Sequence, residues 1–209
     1  MLTHHHHDHI GGVAYLADRL GAPVWAHADT AERVPFDVAR HLDGGDRITV
    51  DDRYELEVIH TPGHALGHIC LYDETSGSMV AGDMVAGIGT ILIEPQEGDM
   101  AAYLDSLMTM RALEPSCLLP SHGPPIGGAV ARLEEYHRHR LMREEKAASA
   151  LTQAPQTIEA LVNVVYDDAP PMVRMGPGGG LAGLSLRTHL AKLLNDGRAQ
   201  RYDDGRWSS

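Results

Sequence analysis

The residues near the start of the chain constrain its fold most strongly. Positions 3–12 read THHHHDHIGG and contain the pattern H-x-H-x-D-H, formed by His4, His6, Asp8 and His9. Three imidazoles and a carboxylate this close together can hold two transition metals side by side, because both groups are good ligands for zinc and iron. A chain that uses the pattern in this way must bring further ligands to it from elsewhere in the sequence.

Four consecutive histidines also suggest an engineered purification tag. A tag does not require an aspartate, a further histidine and two glycines after it, and it predicts no ligands downstream. Three such ligands follow, namely His64 in TPGH, Asp83 in VAGD and His122 in SHGPP. Each comes after an apolar segment typical of a buried strand, and each opens a turn. Because loops at strand ends are where a rigid scaffold presents ligands, we predict a metal centre.

These motifs, in this order, resemble the metallo-beta-lactamase superfamily of metal-dependent hydrolases over residues 1 to about 150. The resemblance implies an α/β fold, the αββα sandwich of that superfamily. It also implies two metal sites bridged by one carboxylate. The first would be His4, His6 and His64, the second Asp8, His9 and His122, and the bridge Asp83.

The remaining histidines are expected to have other roles. In the superfamily, a histidine placed like His68 more often orients a ligand or a loop than binds the metal. His5 and His7 occupy the x positions of the first motif and are expected to point away from the metals. Surface or packing positions are expected for His27, His41, His60, His137 and His189.

A second resemblance covers the C-terminal part. The segment EYHRHRLMREE at 135–145 and the pattern HLxKLxxxG at 189–197 resemble the lactamase-beta-2-like branch, in which a small winged-helix domain follows the hydrolase domain. It implies contacts with substrate from Tyr136, His139 and Arg140. We predict a hydrolase domain at 1–151 and a winged-helix domain at 152–209, divided at TQAPQ.

The stretch TPGHALGHIC also resembles the glyoxalase II group of thioester hydrolases. In that group threonine usually follows the metal-binding histidine, whereas this chain has Ala65. The substitution and the winged-helix tail both argue against a simple glyoxalase II assignment.

The first superfamily motif here begins at residue 4, whereas in the family it follows several strands. We therefore expect the N-terminal strands of the sandwich to be missing from this fold, which would expose a sheet edge. Elsewhere the pattern predicts a hairpin at 46–60, a helix at 99–115 capped by Asp99, and a long helix from about 127 to 153.

Composition excludes several classes of protein. No apolar run approaches the roughly 18 residues of a transmembrane helix, and no secretory signal is visible. Cys70 and Cys117 lie in apolar segments and are expected to be free thiols, which favours the cytoplasm. The net charge is −12, while residues 151–209 carry six basic and six acidic side chains. A neutral winged helix on an acidic domain is a weak case for binding duplex nucleic acid.

The predicted function is a binuclear hydrolase with two zinc ions per chain, iron and manganese being alternatives. A hydroxide shared by the ions would attack an ester, thioester or phosphodiester. Asp83 would bridge the ions, and Asp8 would carry the proton. The expected partner is a small-molecule ester or thioester, or single-stranded RNA. No membrane contact is expected, and the oligomeric state is left open. Three alternatives stay open: an endoribonuclease of the same branch, an iron-dependent persulfide oxidoreductase, and a catalytically impaired nucleic-acid-binding module.

Overall fold

The computed structural model describes the backbone of residues 1–209 and every side chain except that of Asp52. The helices are α1 (His7–Ile10), α2 (Val13–Leu20), α3 (Ala28–Ala31), α4 (Met100–Ala112), α5 (Ala129–Ala150), α6 (Ile158–Val165), α7 (Pro171–Arg174) and α8 (Gly180–Asn195). The strands are β1 (Trp25–Ala26), β2 (Arg40–His41), β3 (Arg47–Val50), β4 (Tyr54–His60), β5 (Ile69–Asp73), β6 (Ser78–Gly82), β7 (Cys117–Pro120), β8 (Ile126–Gly127), β9 (Gln200–Arg201) and β10 (Trp207–Ser208).

A mixed sheet with the order β3–β4–β5–β6–β7–β8 forms the centre of the molecule. The predicted hairpin is its β3–β4 pair. Strand β5 is antiparallel to both β4 and β6, and β7 is parallel to β6. Strands β4, β6 and β7 therefore run in the same direction, and their carboxyl ends lie at the same end of the sheet.

Both faces of this sheet are covered, so β5 is buried along its whole length. Because successive side chains of a strand point to opposite faces, Cys70 and Tyr72 enter one core and Ile69 and Leu71 the other. The first core is completed by α4 and by residues of α5 such as Leu133.

The start of the chain belongs to a smaller layer on the second face. The amide of Leu2 donates to the carbonyl of Trp25, and the amide of Ile69 donates to the carbonyl of Thr3, both at 2.9 Å. Strands β1 and β2 pair in parallel, and a small core with Ile10 lies beneath α2. The layers follow the order helix, sheet, sheet, helix, so the predicted α/β sandwich is confirmed, with a two-stranded first sheet in the described residues.

Two helices begin and end close to their predicted limits. Asp99 caps α4 as predicted, because its Oδ1 accepts the amides of Ala101 and Ala102 at 2.8 and 3.0 Å. The helix ends at Ala112 rather than at Pro115. Helix α5 is five residues shorter than its prediction and runs through Ala129–Ala150.

The last third of the chain has its own core. Helices α6 and α8 and the β9–β10 pair enclose a cluster that includes Leu161, Leu186, Leu190 and Trp207. The final turns of α5 pack on the same cluster through Ala147. Helix α5 therefore contributes to both cores. The predicted boundary between residues 151 and 152 lies one residue beyond the end of α5 at Ala150, and it stays a prediction.

Within the described part of the chain, the helices are too short or too polar for one of them to cross a bilayer.

Candidate metal centre

The loops that follow β4, β6 and β7 meet the first loop of the chain at one end of the central sheet. His64 follows β4, Asp83 follows β6 directly, and His122 follows β7. The backbone bond between Thr3 and Ile69 holds the H-x-H-x-D-H motif at the same end. The fold thus brings all seven predicted ligands into one cluster, which we call the metal cluster.

Three histidines form the first half of the metal cluster. His64 Nε2 lies 3.0 Å from His6 Nδ1. The ring of His4 lies 4.6 Å from the ring of His6 and 4.9 Å from that of His64, measured between centroids. One ring nitrogen from each lies within 4.8 Å of the others, a spacing suited to a shared ion.

Two histidines and a carboxylate form the second half. Asp8 Oδ2 lies 3.1 Å from His122 Nε2 and 3.4 Å from His9 Nε2. These three atoms also meet within 4.8 Å of one another. Asp8 and His9 belong to α1, whose short turn brings both side chains to the cluster.

The carboxylate of Asp83 lies between the two halves. Its Oδ2 is 3.7 Å from His64 Nε2 and 3.5 Å from His122 Nε2, and its Oδ1 is 3.5 Å from His9 Nε2. Burial alone would raise the pKa of Asp83, but the nearby rings of His9, His64 and His122 lower it. The group is therefore an anion at neutral pH, with one oxygen reaching both halves.

The hydrogen bonds at the far side of each ring determine which nitrogen is free for a metal. His64 Nδ1 lies 3.0 Å from the carbonyl of Leu92, which can only accept, so Nδ1 carries the proton and Nε2 a lone pair. His6 Nε2 faces the carboxylate of Glu97 at 3.3 Å, which leaves a lone pair on His6 Nδ1. Two lone pairs that face each other at 3.0 Å repel unless a cation lies between them, and this fits a metal site.

Burial and protonation also fit a metal. The atoms His4 Nε2, His9 Nε2 and Asp83 Oδ1 are buried and find no hydrogen-bond partner among the described residues. Burial lowers the pKa of His4, and it lowers the pKa of His64 to about 4. Both rings are thus neutral at pH 7, as metal ligands must be.

His68 lies behind the metal cluster and is fully buried. Its Nε2 accepts the backbone amide of Asp83 at 3.1 Å, and its Nδ1 lies 2.8 Å from the hydroxyl of Thr61. Both ring nitrogens thus bond to other groups of the protein. The bond to the amide of Asp83 fixes the backbone position from which the Asp83 carboxylate reaches the cluster.

Gly82 allows this close contact between His68 and the backbone of Asp83. It has a φ of +51°, a left-handed conformation, and a Cβ there would lie 2.4 Å from His68 Nε2. The pairing of β6 with β7 also shifts register between Val80 and Gly82. Such irregularities often redirect a side chain next to a functional site, and here the redirected side chain is that of Asp83.

Glu97 is a site residue that the sequence did not reveal. Its carboxylate contacts His6 and also lies 2.9 Å from His5 Nε2. A carboxylate on the second nitrogen of a metal-binding histidine fixes the ring and makes it a better ligand. Glu97 lies in an irregular loop at no characteristic spacing, so no sequence pattern could have marked it. His7, the other histidine at an x position, is exposed.

The three residues predicted to contact substrate lie on α5, behind the loop that follows Asp83. Tyr136 Oη accepts the amide of Ala86 and donates to the carbonyl of Gly89, both at 3.0 Å. Arg140 donates to the carbonyl of Ile91. Tyr136 and Arg140 are buried, so their side chains hold the loop in this structure, and their predicted role in substrate binding stays a prediction. His139 is half-buried and lines a separate cavity of about 490 Å³.

A second group of possible ligands, His27, Asp29 and His60, lies away from the metal cluster. The two rings are stacked with centroids 4.2 Å apart and planes 11° apart. Lone pairs of parallel rings do not converge on one ion, so this group has the packing role expected for His27 and His60. Of the other histidines, His41 is exposed, His137 half-buried and His189 buried.

Comparison with known proteins agrees with this geometry. The family model described as "Metallo-beta-lactamase superfamily" matches residues 1–122. The chain belongs to this superfamily. The model described as "Beta-lactamase associated winged helix domain" matches residues 157–207, which confirms the predicted combination of domains.

Individual proteins show how far the likeness extends. The chain is 29% identical over 215 residues to the beta-lactamase-like protein 2 homolog of Drosophila melanogaster, covering 95% of this chain and 68% of that protein. It is 36% identical over 112 residues to the hydroxyacylglutathione hydrolase of Pelagibacter ubique, covering 53% of this chain and 45% of that enzyme. The chain therefore spans only part of the length of these relatives. A solved metallo-beta-lactamase family protein of Thermus thermophilus shares the fold, with a TM-score of 0.81 at 24% identity over 99% of this chain and 77% of that one.

Proposed function

We propose that this superfamily member is a binuclear metal-dependent hydrolase that acts on a small ester or thioester, with zinc as the metal. One observation carries the proposal: six histidine and aspartate side chains form two groups, and the carboxylate of Asp83 reaches both. Two metals held together by one carboxylate are typical of hydrolytic sites.

The residues divide the work in the following way. His4, His6 and His64 would hold one ion, Asp8, His9 and His122 the other, and Asp83 both. Divalent ions bound there would supply an acidified water as nucleophile and would polarise the oxygen that is attacked. What the chain itself supplies is the position of each ligand and a path for the proton.

Asp8 is the best placed residue to move that proton. Its side chain is 59% exposed, whereas that of Asp83 is 9% exposed, so Asp8 can exchange protons with solvent. It also contacts His9 and His122 directly. We propose that Asp8 takes the proton from the nucleophilic water and returns it to the leaving group.

The charge of the cleft favours a substrate with little negative charge. A cavity of about 890 Å³ opens beside the metal cluster, and its lining includes Glu32, Glu94, Glu97 and one arginine, Arg33. This size suits a small organic molecule. A polyanion such as single-stranded RNA would meet these three glutamates in addition to Asp8, so we place a phosphodiester substrate second.

The likeness to a hydroxyacylglutathione hydrolase, which covers 53% of this chain, supports a thioester as the substrate class. The glyoxalase II group usually has threonine where this chain has Ala65, so we assign neither the acyl group nor the thiol of the thioester.

The experiment is to purify the chain without a tag, measure metal identity and stoichiometry by elemental mass spectrometry, and test three substrates. These are a hydroxyacyl thioester, an aryl ester and a single-stranded RNA. We expect two zinc ions per chain and turnover of the ester or thioester. Cleavage of RNA alone would replace the proposal with the endoribonuclease. A single iron with oxygen uptake on a persulfide would replace it with the oxidoreductase, and salt-dependent RNA binding without turnover would replace it with the binding module.

A further inference from the structure

Three consecutive carbonyls behind the metal cluster are bound by three different elements. The carbonyl of Ile91 accepts from Arg140 of α5, that of Leu92 accepts from His64, and that of Ile93 accepts from Thr188 of α8 at 2.7 Å. The peptide units of Ile91, Leu92 and Ile93 are joined covalently and each is planar. Holding the carbonyls of Ile91 and Ile93 therefore limits the rotation of the carbonyl of Leu92 between them, which is bound by His64.

The contact from Thr188 comes from the winged-helix domain. Thr188 is 2% exposed, and α8 packs its flanking residues, such as Ser185 and His189, against the rest of the molecule. In helix-turn-helix proteins the corresponding helix presents its side chains to the major groove of DNA. Here the exposed side chains of α8 are Leu181, Leu194 and Asn195, which have no positive charge. Its two cations, Arg187 and Lys192, are half-buried, and Lys192 is paired with Glu144. Helix α8 is thus directed inward, toward the metal cluster.

We propose that Thr188 is a positioning residue for the metal ligand His64, and that the winged-helix domain acts through it as a structural part of the metal centre. Arg140 holds the carbonyl of Ile91, at the other end of the same three-residue segment. This inference rests on the proposed metal-dependent function. It adds that a residue more than 120 positions from His64 in the sequence determines how well His64 is oriented toward its ion.

Electrostatics supports this chain of contacts. The proton on His64 Nδ1 must remain on the side of Leu92 for Nε2 to carry its lone pair toward the cluster. If the carbonyl of Leu92 turned away, the buried N–H would lose its partner and the ring would turn to find another. Thr188 and Arg140 prevent that rotation by holding the neighbouring peptide units.

The test uses Thr188→Val, which keeps the shape of the side chain and removes its hydroxyl. Two matched variants accompany it. Thr188→Ser restores the hydroxyl, and Ser185→Ala removes a buried hydroxyl from the same helix, one that bonds Tyr166 at 3.1 Å rather than the loop. Zinc release to a coloured chelator is followed for each protein, and thermal unfolding is measured on the zinc-stripped proteins.

We expect Thr188→Val to release one of its two zinc ions roughly tenfold more readily than the wild type, because supports of metal-binding histidines have effects of that order. The second ion should be retained as in the wild type, and Thr188→Ser and Ser185→Ala should match the wild type. Stripped Thr188→Val should melt at the same temperature as stripped Ser185→Ala.

Wild-type release from Thr188→Val, in a chain whose wild type holds two zinc ions, would overturn this inference and leave the proposed function intact. Equal loss of both ions together with a lower melting temperature would also overturn it, since that would show a general structural role. A wild-type chain that binds no zinc would overturn both the inference and the proposed function.

Discussion

The metal cluster and the contact between the two domains both bury charged and polar side chains, but they pair them differently. At the domain contact, Arg143 binds the carboxylate of Asp168 through two nitrogens at 2.6 and 2.9 Å, and Lys192 binds Glu144 at 3.0 Å. In the metal cluster the buried ring nitrogen of His4 has no partner among the described residues. Possible ligand atoms of His6, His64, His9 and Asp83 lie within 4.8 Å of a ring nitrogen of His4.

The difference separates a structural role from a binding role. Buried charges that are paired with each other stabilise one arrangement of helices and need nothing further. Buried polar atoms that converge without partners are costly to keep, and a bound cation relieves that cost. Both domains bury polar atoms, so it is the convergence of the free atoms that marks the metal cluster.

Removing the carboxylate that reaches both halves should have the largest effect. We expect Asp83→Ala to hold one metal ion or none and to lose hydrolysis to background, because both halves lose a shared ligand. Elemental mass spectrometry and the thioester assay measure these two effects. Full activity in Asp83→Ala would falsify the binuclear mechanism.

A smaller loss should follow from removing a support rather than a ligand. We expect Glu97→Ala to weaken metal binding by about 10–100-fold, the usual effect of losing a partner of a metal-binding histidine. Glu97→Gln keeps an acceptor oxygen for His6 and should recover part of the loss. Chelator competition gives the affinities.

Glu94→Ala is the control for this comparison. Glu94 lines the same cavity but makes no hydrogen bond to a ligand among the described side chains. An equal loss of affinity in Glu94→Ala would mean that the charge of the cleft, and not the contact with His6, holds the metal.

His189 tests the comparison at the domain contact. It is buried there, and neither of its ring nitrogens is paired among the described residues. Burial, and then the nearby Arg140, lower its pKa to about 3. The folded chain keeps the ring neutral while the unfolded chain protonates it near its usual pKa of 6.5. The free energy of unfolding therefore falls as the pH drops from about 6.5 toward 3.

We expect His189→Leu to remove that dependence. Between pH 7.5 and pH 4.5 the wild type should lose about 3 kcal/mol more of its free energy of unfolding than the variant loses. Denaturant unfolding of the zinc-stripped proteins at both pH values measures the difference. Metal content at pH 7.5 should not change in this variant; a loss of metal would place His189 in the centre and refute the division drawn here.

The smallest effect is expected at the stacked pair. His27→Gln should leave metal content and hydrolysis unchanged, because the parallel rings of His27 and His60 do not converge on an ion. Elemental analysis measures the metal content of the variant. A loss of one ion per chain relative to the wild type would reveal a third metal site.

The seven predicted ligands could be named from the sequence because all have side chains with metal chemistry. His64, Asp83 and His122 each follow an apolar segment, the other four form one short motif, and the structure brings these side chains together. Contacts of the main chain could not be predicted in this way. The positions of the Leu92 carbonyl and its neighbours depend on the path of the folded loop. Glu97 joins His6 across 91 positions, and only the tertiary structure determines that approach.

Helix ends were less predictable than helices. Helix α4 ends at Ala112 because Glu114, which precedes Pro115, has a φ of +48°; a residue before proline is disfavoured in helical conformation. Helix α5 begins after Gly128, whose φ of +65° is left-handed, and not at 127. The backbone of single residues determined these limits, while the apolar periodicity gave only the approximate segments.

Gly82 has a consequence for how this chain tolerates mutation. It binds no metal and offers no side chain, yet any other residue there would place an atom against His68. In a library that tests every substitution for activity, position 82 should therefore be as intolerant as the ligand positions. A map of such losses would therefore include more positions than the ligands, among them one whose essential feature is that it has no side chain.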